Sequence, residues 1–321
     1  MNREKGPSEE GPEIIAEKRH SRLFRLRMGW RVFNAVARPK KQAAALAAFG
    51  DSLSGTYPLD PASPVLLAAC NDLYYRKFAV TLLLSLERQC EPLQFHLHLC
   101  SPSPAIVRHV KTLALALKHV SLSWTSDDGA LASQLRYRSV YYASVRFLVA
   151  AVLLPRMTAP LLCIDVDGIA VRPVWQAYEK KAQGDVVLIQ RPDEKRTVNK
   201  VLASAAGFNQ TPQGLRFVAA LGRSLVAILG DQPSYHVDQI TIFYLMRRLQ
   251  KLGLLKVEAM PQSLADFEFS DDGVIWTAKS WRTKNSQLYL DAKAAIDAQF
   301  PELVPSGTDT QAPRGTETDI G

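Results

Sequence analysis

The sequence predicts an α/β chain built on a mainly parallel mixed sheet with helices on both faces. Three observations predict it. Short apolar runs bounded by turn residues, such as 64–70 (PVLLAAC) and 161–164 (LLCI), read as strands buried on both sides. Longer segments with apolar residues three and four apart, such as 73–89 and 235–252, read as helices. The two kinds alternate along the chain, which is the pattern of a parallel sheet covered on both faces. The 321 residues, 47% of them hydrophobic, suffice for one large domain with tails.

The formal charge is +8. Residues 18–41 hold nine Lys or Arg and no Asp or Glu, so the rest of the chain is nearly neutral. The basicity is therefore an N-terminal arm, not a nucleic-acid groove across the fold. In this arm Leu23, Leu26, Trp30 and Phe33 recur at helical spacing among Arg22, Arg25, Arg27 and Arg31, while Phe24, Met28 and Val32 fall on another side. Two readings stand: a helix packed on the domain or a partner with its arginines solvated, and a basic amphipathic helix lying on anionic lipid. Cys70, Cys90, Cys100 and Cys163 lack metal-ligand spacing, and three of them end strand-like runs. They read as buried free thiols in a reducing compartment. The apolar run 147–154 is too short to span a bilayer, and the polar N-terminus has no signal-peptide region. The expected location is cytoplasmic, at most peripheral to a membrane. The expected organisation is an arm and linker over 1–63, a domain over 64–304 and a tail over 305–321, with disorder over 1–17 and beyond 305.

In chain order, the linker 51–64 leads to the first strand, which ends at Asn71-Asp72, and to the helix 73–89. In 94–100 Phe95, Leu97 and Leu99 alternate with His96 and His98, and the histidine pair reads as an edge-facing pair rather than a metal site. A helix over 104–119, a short strand over 121–124 and a polar loop over 127–139 follow. The helix 140–154 carries Tyr142 and Arg146 and is stopped by Pro155. After the strand 161–164 come a helix (175–183), a strand (185–190), a charged loop (191–198) and a small apolar segment (201–207). Two helices (215–229, 235–252), a short strand (254–257) and a basic segment (271–285) complete the domain. There is no internal repeat.

The chain turns around LLCIDVDGIAVRP, 161–173. The buried strand delivers Asp165 and Asp167 to a strand's carboxyl end, where ligands sit in open α/β sheets. Two carboxylates one residue apart suit a hard divalent cation whose remaining shell comes from substrate phosphates.

Four signals stand in a fixed order: Asn71-Asp72 with Tyr74-Tyr75; the helix with Tyr142 and Arg146 running to Leu-Pro; Asp165-x-Asp167; and Asp238-Gln239 followed by Lys279-x-x-Arg282-x-Lys284. Over residues 64–290 this resembles the GT-A (nucleotide-diphospho-sugar transferase) glycosyltransferases, closest to the family-eight type of lipopolysaccharide galactosyltransferases and glycogenin. The resemblance implies a GT-A fold and transfer of a sugar from a nucleotide diphosphate, UDP first, to a hydroxyl of a glycan, lipid-linked or other acceptor, with retention. It implies Mn²⁺ or Mg²⁺ on Asp165 and Asp167, with Asp165 also touching the donor. Asn71, Asp72 and Tyr75 would cradle base and ribose, and Arg146 would reach the donor sugar or its phosphate. Lys279, Arg282 and Lys284 would cover the departing diphosphate. Asp238 and Gln239 would face the sugar and its oxocarbenium-like transition state.

The pattern departs from the family at two places. The family supplies a third metal ligand, a histidine, near the basic segment, and this chain has none after His236; Thr277, Asp271 and Asp272 lie nearest. The family's Phe-Asn-Ser-Gly strand is replaced by LASAAG at 202–207. A catalytically inactive nucleotide- or sugar-binding protein of the same fold is the alternative. A nucleotidyltransferase ranks behind both, because its Gly-rich basic loop is absent after the first strand.

Overall fold

The computed structural model describes residues 20–179 and 183–305. The disorder expected over 1–17 and past 305 falls outside these residues. The chain opens with helices α1 (Arg22–Ala37) and α2 (Pro39–Ser52) and the short strand β1 (Ser54–Gly55). Then come β2 (Val65–Cys70), α3 (Asp72–Tyr74), a π-helical turn (Tyr75–Ala79), α4 (Val80–Arg88), β3 (Leu93–Cys100), α5 (Pro104–Ala116) and β4 (Val120–Asp127). Next are α6 (Ala130–Ser133), α7 (Arg138–Leu153), β5 (Leu161–Ile164), β6 (Gly168–Ala170), α8 (Val174–Glu179), β7 (Val186–Gln190) and β8 (Val201–Phe208). The last part holds α9 (Pro212–Leu229), α10 (Val237–Lys251), β9 (Val257–Ala259), β10 (Ala265–Asp266), β11 (Ile275–Thr277), α11 (Trp281–Lys284) and α12 (Gln287–Gln299).

Eight strands form the main sheet in the order β1-β4-β3-β2-β5-β8-β7-β9. Strands β4, β3, β2 and β5 run parallel, whereas β8 is antiparallel to both β5 and β7. A second sheet, β10-β11-β6, lies beside it. The chain moves outward from β2 to β3 to β4 and then crosses back to place β5 next to β2. The strand order reverses between β2 and β5, the place in an open α/β sheet where ligand sites generally gather.

Each strand of the parallel core serves two interiors, because successive side chains point to opposite faces. Val65, Leu67 and Ala69 meet α7, α9 and α10, while Leu66, Ala68 and Cys70 meet α4, α5, α8 and α12. This is the expected sheet with helices on both faces. Upstream of residue 64, Met28, Val32 and Phe49 join the first of these interiors, so α1 and α2 pack onto α9. Within the expected linker, β1 pairs with β4. The segment from Arg138 to Arg156 is the one stretch among the described residues long and apolar enough to cross a bilayer. Here it is the central core helix and its turn, mostly buried against the sheet.

One expectation is corrected. His96 and His98 are not at an edge: β3 lies between β2 and β4, and both rings are fully buried. They form a polar ladder across to β4. His96 bonds Ser123 Oγ (2.8 Å) and Thr125 Oγ1 (2.9 Å); His98 bonds Thr125 Oγ1 (3.1 Å) and Asp127 Oδ2 (3.0 Å). The carboxylate is supplied by a neighbouring strand, which is why no local spacing announced it. The helix over 73–89 is also interrupted, by the π-helical turn at Tyr75–Ala79, and the loop 127–139 contains α6. Helix α12 had no counterpart in the sequence reading.

Burial drives the His96 pKa down from 6.5 to about 3, with His98 adding to the effect. The unfolded chain therefore binds a proton at this residue that the folded one refuses. Stability is present above pH 6.5 and is lost as pH falls below it. Between pH 6.5 and about 5 this one residue should remove roughly 2 kcal/mol. Urea unfolding at several pH values should show that slope, and His96→Gln should flatten it; an unchanged slope would contradict the assignment.

Candidate active site

The Asp165-Val166-Asp167 segment is where the chain leaves the main sheet and enters the small one, between β5 and β6. Its backbone is held on both sides. The amide of Asp165 donates to Ser204 O on β8 (2.9 Å), and the carbonyl of Asp167 accepts from the Ala278 amide (3.1 Å) and the Tyr289 hydroxyl (3.1 Å). Val166 is buried between them, and the chain bends at Val166 and Asp167 before β6 begins. Gly168 is required next: a Cβ there would lie 2.6 Å from Ile275 Cγ2, where β6 pairs with β11.

Each carboxylate meets a cation. Arg146, buried in the middle of α7, places Nη1 2.7 Å from Asp165 Oδ1. Its Nη2 donates to Ala203 O (3.0 Å) and lies 3.7 Å from Asp238 Oδ2, and its Nε is buried with no hydrogen-bond partner. Lys284, on α11, places Nζ 3.0 Å from Asp167 Oδ2 and donates to the Tyr74 hydroxyl at 3.0 Å. The ammonium also lies over the rings of Tyr74 (4.8 Å) and Phe78 (5.2 Å).

The charges are strained in the expected directions. Burial, with Asp165 as a like-charged neighbour, pushes the Asp167 carboxyl up to about 6 against the pull of Lys284. Burial also raises Asp238, with Arg146 opposing it. Burial would lower Arg146, but Asp165 and Asp238 more than offset that and raise it. For Lys284 burial is again the largest effect, outweighed by Asp167 and Tyr74, so its pKa rises.

The remaining expected residues divide. Asp238 and Gln239 open α10 and are buried, with Asp238 near Arg146; Gln239 Nε2 lies 3.0 Å from His236 Nδ1. His236 sits in the left-handed region (φ +39°) as the residue before that helix. Lys279 is exposed over the Phe267 ring, feels Asp165 and Asp238, and is lowered by desolvation above all. Arg282 is exposed on α11. Asn71 and Asp72 stand at the end of β2, but their side chains serve the fold. Asn71 Oδ1 caps the following helix through the Tyr74 amide (3.0 Å), and Asp72 accepts the Ser103 amide (3.2 Å).

Tyr75 is a correction. Its ring is fully buried and its hydroxyl bonds His109 Nδ1 (2.8 Å), away from the carboxylates. Tyr74 is the tyrosine that reaches the site. The signal was available: Tyr75, Phe78, Leu82 and Leu86 follow one apolar helical stripe, and Tyr74 is off it.

Among the described residues, His98, Cys100 and Asp127 bring three donor atoms within 4.8 Å of one another. Hydrogen bonds already saturate that group. Asp127 accepts from His98, Tyr141, Ser101 N (3.3 Å) and Gly129 N (2.7 Å), and burial holds the Cys100 thiol far above its ordinary pKa. Asp165 and Asp167 are the hard oxygen pair suited to Mg²⁺ or Mn²⁺.

No protein-family model matches the chain, and no curated relative matches it by sequence. Solved structures do. The glycosyltransferase GlyE of Streptococcus pneumoniae TIGR4 aligns over 78% of this chain and 66% of its own, with TM-score 0.50 and 12% identity. The bifunctional glycosyltransferase WbbM in its apo form aligns over 78% of this chain and 52% of its own, with TM-score 0.51 and 16% identity. The chain thus spans about two thirds of GlyE and about half of WbbM. At this identity the likeness is one of fold, and it is the GT-A fold of those glycosyltransferases.

Replacing Arg146 by Met would leave Asp165 and Asp238 without their shared cation. Breaking a buried pair from one side costs about 3–5 kcal/mol, and urea unfolding at neutral pH should show a loss of that order. Adding Asp165→Asn and Asp238→Asn to the same chain should recover most of it. If Arg146→Met alone stays within about 1 kcal/mol of the parent, the three residues are not interdependent.

Proposed function

We propose that this chain is a glycosyltransferase that moves a sugar from a nucleotide diphosphate sugar, UDP-sugar first, to an acceptor hydroxyl. The observation that carries the reading is the Asp165/Asp167 pair at the strand-order reversal, each carboxylate facing a cation from a different element. A nucleotide diphosphate brings negative charge that must be matched before it can leave. Asp165 and Asp167 would hold Mn²⁺ or Mg²⁺ there, which when bound supplies Lewis-acid neutralisation of the diphosphate. Two carboxylates are an incomplete ligand set, so donor phosphate oxygens would fill the rest of the shell.

The chain's own residues supply the other parts. Lys284 sits where it can exchange Asp167 for a phosphate oxygen, with Lys279 and Arg282 on the same stretch. Arg146 fixes Asp165 and Asp238 relative to each other, which orients both toward the donor sugar. Asp238 and Gln239, at the start of α10, would hold sugar hydroxyls while the bond from the anomeric carbon to the diphosphate breaks and a bond to the acceptor oxygen forms. Asn71 and Asp72 would meet the base and ribose through the backbone at the end of β2. Retention is part of the proposal, as are a glycan or lipid-linked acceptor and a cytoplasmic site of action. A binding protein without transfer is the second reading. The lack of a histidine after His236 favours it.

Thermal melts with a panel of nucleotides and nucleotide-sugars, with and without Mn²⁺, test the proposal. A ligand at 100 times its Kd stabilises by about 2.7 kcal/mol. The expected result is a Mn²⁺-dependent rise with one nucleotide, abolished by Asp165→Asn and Asp167→Asn. A rise indifferent to Mn²⁺, with no transfer to any acceptor, would favour the binding protein. No rise with any nucleotide would overturn both.

A further inference from the structure

The two faces of α1 are both apolar, and only one is used by the fold. On the inner face Met28, Val32 and Ala35 are 1%, 2% and 0% exposed, packed against α9, α10 and α2. Polar contacts lock that face down. Arg31 makes a two-pronged contact to Asp231 (3.0 and 2.9 Å), and Arg223 donates twice to Ala35 O (3.2 and 3.0 Å). His20 stacks on Tyr235 (4.7 Å) and bonds its carbonyl oxygen (2.9 Å). The helix is a built-in part of the molecule and presents its outer face in a fixed direction.

That outer face holds Leu23, Leu26, Trp30 and Phe33, which are 68%, 72%, 49% and 38% exposed. At about 100° per residue these four positions fall within an arc of roughly 80°, a continuous stripe. Its border is basic. Arg22 and Arg27, both exposed, lie about 20° and 40° outside its two edges, Arg25 is exposed further round, Arg38 and Lys40 are exposed past the helix's end, and the Arg248 guanidinium lies 4.4 Å over the Phe33 ring. The acid that reaches this region, Asp231, is engaged by Arg31 and approached by Arg27.

We propose that the outer stripe of α1 docks the protein on an anionic lipid bilayer, with Leu23, Leu26, Trp30 and Phe33 in the interface and the arginines among the headgroups. An apolar stripe rimmed by arginine, including a tryptophan, is the composition of an interfacial helix. Charge decides against the other occupant, a second copy of this chain. Pairing two such stripes would bring two arginine borders together, and residues 18–41 hold no acid to answer them. Lipid phosphates answer them directly. The stripe also begins beside the site. His20 is held by Tyr235, the residue before His236, which contacts Gln239 at the opening of α10. The packed side of α1's N-terminal end thus touches the chain that leads into α10. The docking itself does not rest on the sugar-transfer reading, and its test needs no activity.

The test is co-sedimentation of the full chain with vesicles of phosphatidylcholine alone or mixed with phosphatidylglycerol. The expected result is binding to the anionic vesicles that weakens as salt rises. Leu23→Ser with Leu26→Ser should abolish it. Arg22→Glu with Arg25→Glu should weaken it by at least about tenfold, at roughly fivefold per lost arginine. These side chains are exposed, so both variants should melt like the parent. A blue shift of the Trp30 fluorescence, read as the difference from Trp30→Phe, should accompany binding. Binding indifferent to all four substitutions would overturn the proposal. So would absence of vesicle binding, and a dimer in light scattering that Leu23→Ser with Leu26→Ser dissolves would reassign the stripe to a subunit interface.

Discussion

Three carboxylates, Asp165, Asp167 and Asp238, are gathered beside the strand-order reversal, and cations from other segments are placed against them. Carboxylates drawn together and out of water repel one another and resist ionisation, as the raised Asp167 and Asp238 show. The fold answers with one guanidinium and one ammonium. Arg146 comes from the core helix α7, Lys284 from the short α11, and Asp238 from α10, while Asp165 and Asp167 lie on the crossing between two sheets. Four separate segments must be in place before the charges balance. The site and the fold therefore stand or fall together, which is the usual condition of a preorganised electrostatic site.

The architecture explains why that crossing is so well held. The last residue of β5, Ile164, is packed in the second interior, Asp165 is tied to β8, and Asp167 is tied to α12 and to the segment after β11. Two sheets diverge from one tripeptide. Asp165 and Asp167 carry the charges, and their backbone groups that meet the flanking elements are engaged. The same economy governs α1. Its inner face seals the helical layer formed with α9 and α10, and this fixes the direction in which the second apolar stripe looks.

Much of this was legible in the sequence. The strands over 64–70, 161–164 and 185–190 are apolar on both faces and could only be central, and the Asp-x-Asp after the second of them lies where chemistry gathers. Asp238 and Gln239 were readable as a polar pair opening a helix; their burial was not. What was not legible depends on partners distant in sequence. His96 and His98 alternate with apolar residues just as an edge strand would, and only β4, bringing Ser123, Thr125 and Asp127, makes them central. Local spacing also could not show that Lys284, 117 positions after Asp167, is the residue of the basic segment that touches it. Tyr75 was different: its helical phase with Phe78 and Leu82 was visible, and phase should outrank proximity to a motif.

The two cations are held very differently, and that difference bears on what the site can do. Arg146 is planar, buried and gripped by Asp165, Asp238 and Ala203 O, so it cannot leave without stranding two carboxylates. Lys284 is a point charge on a long flexible stem, carried by a helix of four residues and partnered by one carboxylate, a phenol and two ring faces. Under the proposed sugar-transfer reading, a diphosphate would offer that ammonium more negative charge than Asp167 does. In moving to it, Lys284 would uncover Asp167 at the moment a cation arrives with the same ligand. The carboxylate pair is thus neutralised by one group that is easily moved, beside one that is not. On the proposed reading, that pairing would keep Asp165 and Asp238 in register while Asp167 exchanged Lys284 for another partner.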